Sequence, residues 1–136
     1  MDSAEVVMSY VATLDGADIE FGRRLWQSLR DSRDFPIKGM FWLSESETGE
    51  WHLVIASPKV DTLGPRDAYR ELAATARDLP ADSKQWLKIE LISPKHPMYQ
   101  ALRSVFGETL SVEGARLGNT MVGGMLVDEA YLYEIR

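Results

Sequence analysis

Two histidines, several serines, a run of arginines and 21 carboxylates are the groups in this chain able to move a proton, hold a metal or attack a substrate. Histidine comes first, because its imidazole titrates unperturbed near neutral pH. His52 alternates out of phase with Trp51 and Leu53, which reads as a residue on the second face of a strand, and His96 lies in a loop between Pro94 and Pro97. Neither belongs to a His-x-x-x-His or His-Glu-x-x-His spacing. A metal would need further ligands brought in by folding, so no metal and no cofactor is expected. Ser57, Ser93 and Ser104 stand outside any Gly-x-Ser-x-Gly elbow, and no catalytic residue is assigned. Gly123-Gly124 interrupts an apolar run, but neither a lysine nor a helix start follows, as a phosphate cradle requires. The pair reads instead as a bulge or a close approach of two backbones within a sheet.

Three further groups bear on binding. Glu45, Glu47 and Glu50 surround one turn, either as ordinary solvated acids or as an acidic finger that steers a basic partner. Arg23, Arg24 and Arg30 form the best basic cluster and the anion-binding candidate, with Arg33 and Lys38 following. Arg23 and Arg30 are seven residues apart and share one side of a helix. The acidic segment just before them can neutralise this cluster internally, so nucleic acid is not the expected partner. Among the aromatics, Trp42 falls in the strand phase opposite Phe41 and Leu43, while Tyr131 and Tyr133 share a phase near the end of the chain. If helices cover one face of the sheet, these three residues form a docking surface of types enriched at binding hot spots; if helices cover both faces, they are core.

Positioning these residues requires a specific run of elements. Asp2-Ser3-Ala4-Glu5 resembles a capping box, and Val7, Val11 and Leu14 follow at helical spacing, which predicts a helix over 3–14 with a strand as the alternative. Asp15 or Asp18 then offers an N-cap for a second helix that runs to about Arg30 on a stripe of Phe21, Leu25 and Leu29. After Pro36 the period changes to two. Ile37, Phe41 and Leu43, then Trp51, Leu53 and Ile55, predict two strands over 37–46 and 50–57 joined at Gly49, with Ile37, Phe41, Leu43, Leu53 and Ile55 buried together. Ala68, Leu72, Ala76 and Leu79 predict a third helix over about 65–78, opened by Pro65. Leu87, Ile89 and Leu91 alternate with Lys88 and Glu90 as a strand over 85–93, and Pro97 opens a short helix that Gly107 ends. The remainder reads as β over 109–112, 116–127 with a break at Gly118-Asn119, and 130–135. Such an order lacks regular βαβ alternation. It predicts an α+β fold, a single domain over 1–136 with a mixed or mainly antiparallel sheet of five to six strands and three to four helices.

Composition bounds the function. The chain has 136 residues, no cysteine and a net charge of -6, which removes disulfide, thiolate-zinc and cysteine-nucleophile chemistry and fits a cytoplasmic protein. Residues 1–22 carry five acids and no base, whereas residues 23–38 carry five bases and two acids. No basic n-region opens the chain and no apolar run is long enough to span a bilayer, so neither secretion nor membrane insertion is expected. The leading expectation is a small acidic, non-enzymatic domain that binds another protein or a second copy of itself, as adaptors, inhibitors, antitoxins and immunity proteins do. The alternatives are an enzyme or small-ligand site assembled from dispersed residues such as Arg23, Glu45, His52 and Glu90, and nucleic-acid binding through the arginine cluster.

Overall fold

The α+β architecture follows from where each amphipathic stripe finds cover. The computed structural model describes residues 14–45, 47–80, 83–107 and 111–136; the helix expected over 3–14 lies almost wholly outside them. Helix α1 (Gly16–Arg30) starts where the Asp15 carboxylate accepts from the Asp18 backbone N–H at 2.8 Å. Strands β1 (Gly39–Ser44) and β2 (Trp51–Ala56) form an antiparallel hairpin. Short helix α2 (Lys59–Leu63) and helix α3 (Pro65–Thr75) lead through a 3₁₀ turn (Lys84–Lys88) to β3 (Ile89–Ile92), which pairs parallel with β2. Helix α4 (Pro97–Phe106) precedes the antiparallel strands β4 (Arg116–Val122) and β5 (Met125–Ile135). The sheet order is β3-β2-β1-β5-β4, with β5 antiparallel to β1.

Both faces of this mixed sheet are covered. On one face Phe21, Leu25 and Leu29 of α1 and Leu72 of α3 meet Met40, Trp42, Leu53, Ile55 and Tyr133. On the other, Met98, Ala101 and Leu102 of α4 meet Phe41, Val54, Leu132 and Ile135. A strand buried on both sides reads as a continuous apolar run, and β1 is such a strand. The expected hairpin is present, but the shared face is not. Phe41 pairs with Val54 and Trp42 with Leu53, so Phe41 points to α4 while Leu53 and Ile55 point to α1.

Other expectations shift in ways the packing explains. Residues 84–88 coil into a 3₁₀ turn instead of opening β3, and Leu87 is left 90% exposed. Of the strand expected over 109–112, residues 109–110 lie outside the described residues and 111–112 are not in a strand, and the break in the last β region falls at Gly123-Gly124. Both glycines have positive φ, 54° and 83°, as a two-residue hairpin turn demands. Asn119 also takes a positive φ of 46°, a kink within β4. The close backbone approach is real as well, since a Cβ on Gly123 would lie 2.9 Å from the Ala101 Cα of α4. Finally, β5 carries a bulge: Met40 pairs with Glu134 and Phe41 with Leu132, leaving Tyr133 as the extra residue.

Candidate functional site

Three surfaces gather groups that could engage a ligand or a partner. The first is the mouth of the β1–β2 hairpin. The Glu45 N–H donates to the Glu50 carbonyl at 2.8 Å, and Gly49, at φ 73°, returns its N–H to the Glu45 carbonyl at 2.8 Å. This closure sets the two carboxylates opposite each other. His52, one residue into β2, brings its Nε2 to 3.3 Å from Glu45 Oε2 and 3.9 Å from Glu50 Oε2. Thr48 Oγ1 also donates to Glu45 Oε2, at 3.4 Å. Beside them opens a cleft of about 440 Å³ lined by Asp15, Asp18, Thr48, Trp51, His52 and Lys88, among others. Asp18 is buried there, with both carboxylate oxygens accepting from Lys88 Nζ at 3.1 Å and Oδ1 also accepting from Gln85 Nε2 at 3.1 Å. Those three bonds tie α1 to the 3₁₀ turn.

The second surface is a cleft of about 600 Å³ on the other flank of α1, where Trp26, Arg30, Glu113, Tyr133, Glu134 and Arg136 contribute. The bulge in β5 makes it. Strict alternation would send Glu134 to the α4 face with Leu132, but the extra residue turns Tyr133 and Glu134 to the α1 side together. Trp26 Nε1 donates to Glu134 Oε1 at 2.7 Å, and the Arg136 guanidinium lies against Oε2. The Arg30 guanidinium sits over the Trp26 ring, 4.6 Å from its centroid.

The third surface is the β4–β5 hairpin. β5 pairs with β1 over Ala130–Ile135 only, so the hairpin from about 120 to 127 projects past the rest of the sheet. Met121 and Leu126 face each other across one rung there and are 64% and 57% exposed. β4 is also the last strand of the sheet, so one side of its backbone has no strand partner among the described residues.

The residues expected at a docking surface divide accordingly. Glu45, Glu47 and Glu50 are exposed around the turn, as expected. Trp42 and Tyr133 are not surface residues: both are buried against α1, where Trp42 Nε1 donates to Tyr133 Oη at 3.0 Å and Tyr133 Oη donates to the Ile19 carbonyl at 2.7 Å. Tyr131 is half-buried, edge-on to Tyr133 and capped by Arg116. The arginine cluster is divided too. Arg23 is held by Glu20, which raises its pKa through the hydrogen bond and the opposite charge, while Arg30 stacks on Trp26 and Arg24 stands exposed. Of the dispersed set Arg23, Glu45, His52 and Glu90, Glu45 and His52 meet, whereas Arg23 belongs to Glu20 and Glu90 is exposed on the β3 edge.

Comparison with protein-family models, curated proteins and solved structures finds no match. Function therefore has to be read from these surfaces. The residues that sequence reasoning missed are Met121, Leu126, Asp18, Lys88 and Glu134. A signal existed for the first two, because reading Gly123-Gly124 as a two-residue turn pairs position 121 with 126 directly. Among the described residues no helix is long and apolar enough to cross a membrane.

Proposed function

We propose that this protein is a binding domain that engages another protein through the β4 edge and the β4–β5 hairpin. The observation that carries the reading is the exposed Met121–Leu126 pair on a hairpin that projects past the sheet, beside a strand whose outer edge has no strand partner among the described residues. An open edge offers a row of backbone donors and acceptors that an extended segment can complete, and two adjacent apolar side chains supply pockets or anchors for its alternate residues. Natural edge strands are commonly guarded by lysine, proline or inward charge, and β4 has a single charged residue, Arg116, in its seven. The kink at Asn119 bends this edge, so a partner strand would pair best over 120–122 and the tip. The acidic turn at Glu45, Glu47 and Glu50 supports the same class of function by a different route, since it would speed the approach of a basic partner.

The test uses Met121→Lys with Leu126→Lys, and separately Met121→Pro, which removes an N–H that faces away from β5. Wild type and variants would be compared as baits in the source lysate and by sedimentation at several concentrations. A bound protein, or a self-associated species, that is retained by wild type and lost in both variants supports the reading. An identical bound set and assembly state in folded variants overturns it.

A further inference from the structure

We propose that Glu45, Glu50 and His52 form a binding site for a divalent transition-metal ion such as Zn²⁺. This inference stands independently of the binding reading above. The ligand atoms, one imidazole nitrogen and one oxygen from each carboxylate, all lie within 4.8 Å of one another. Two ligands bound at about 2.1 Å with near-tetrahedral angles are about 3.4 Å apart, and the His52 Nε2 distances of 3.3 and 3.9 Å bracket that value. The donors are a borderline nitrogen and two hard oxygens, the mixture zinc accepts and calcium or magnesium, which take oxygen only, do not.

Two features separate this cluster from acids that merely share a turn. The backbone bond between Glu45 N–H and the Glu50 carbonyl fixes the carboxylates across from each other, an arrangement in which like charges repel. Among the described residues, each of the two carboxylates has its ion pair with the His52 imidazole and none with a lysine or arginine. At neutral pH an imidazole cannot offset two charges, so the site has a net negative charge that a divalent cation cancels. Three protein ligands leave further coordination positions for water or another ligand. His96 is a suitable control, because its Nδ1 accepts from the Met98 N–H and caps α4 at a different place in the fold.

The experiment is calorimetric titration of the full chain with Zn²⁺ at pH 7.5, in wild type, His52→Ala, Glu45→Gln and His96→Ala. One ion per chain is expected, with affinity falling at least tenfold in His52→Ala and in Glu45→Gln and unchanged in His96→Ala. Circular dichroism of each variant confirms the fold. Absence of stoichiometric binding at 1 mM Zn²⁺, or binding equally tight in His52→Ala, overturns the proposal.

Discussion

At the scale of single residues, Gly22 makes the closest approach of any glycine among the described residues, against Trp42 and Tyr133. A Cβ on Gly22 would lie 2.2 Å from Tyr133 Oη and 2.9 Å from Trp42 Nε1, atoms of rings that are buried and hydrogen-bonded. Glycine costs a helix interior about 1 kcal/mol relative to alanine. Overpacking a close core typically costs about 1–3 kcal/mol, so the clash outweighs the gain. Gly22→Ala should therefore lower stability by about 1–2 kcal/mol in urea unfolding, whereas Gly16→Ala, with nothing within 4 Å of its Cβ, should be neutral or slightly stabilising. The same burial governs proton equilibria. Desolvation raises the Tyr133 and Tyr99 phenols above the ordinary 10.0, and for Tyr133 it outweighs the opposing hydrogen bond from Trp42. A folded-state pKa above the unfolded one means that the stabilisation is whole below about pH 10 and is lost as pH rises toward the folded value. Both phenols should ionise above the ordinary tyrosine range in a 295 nm absorbance titration. Tyr133→Phe should flatten the loss of stability above pH 10, and an unchanged alkaline profile would refute this assignment.

At the scale of elements, turns decide which side chains reach solvent. The β4–β5 turn needs positive φ at two successive positions, but the positions are not equivalent. Gly124 has open space around its missing Cβ, whereas Gly123 abuts Ala101 and the Ser104 hydroxyl of α4. Asparagine tolerates left-handed backbone better than other non-glycine residues. Gly124→Asn should cost well under 1 kcal/mol, while Gly123→Asn should cost about 1–3 kcal/mol as the hairpin is pushed off α4. Urea melts of the two variants check this order, and equal melts would mean that the hairpin does not rest on α4. The β5 bulge is the second element-scale device. By rotating Glu134 toward α1 it gives the Trp26 indole an acceptor and furnishes the cleft beside Arg30. Legibility differs at this scale. The α1 stripe and the Gly49 turn could be read from the chain because each depends on neighbours within a few residues. The phase of β5 could not, because a bulge leaves no mark in an apolar run.

At the scale of the whole molecule, two helical layers against one sheet explain why Trp42 is core. With α1 above and α4 below, β1 has no solvent face along Met40, Phe41 and Trp42. Truncating a core tryptophan costs about 3–5 kcal/mol. Trp42→Ala should lower the melting temperature strongly and leave the assembly state of the folded fraction as in wild type, measured by thermal melt and sedimentation. A stable variant with altered assembly would place Trp42 at an interface after all. Met121 and Leu126 are exposed on the β4–β5 hairpin, at the opposite end of the sheet from β3, so substitutions there should leave the melt nearly unchanged. That contrast separates core from docking surface.

Local periodicity and turn chemistry were enough to place α1, the β1–β2 hairpin, α3, β3 and α4 in order and to give the α+β class, because each rests on interactions between residues close in the chain. They were not enough for faces. Where a strand is covered on both sides, Met40, Phe41 and Trp42 are all apolar, and alternation carries no sign of which helix each one meets. Glu45, Glu50 and His52 match no ligand motif by spacing, and the hairpin register alone brings them within ligand distance of one another. Leu87 follows a strand period in the sequence yet ends in solvent, because the Asp18–Lys88 and Asp18–Gln85 bonds hold that stretch as a 3₁₀ turn against α1. Strand register, the bulge and two-sided cover are properties of pairs of distant segments, and a free energy shared between distant segments leaves no periodic trace in either one.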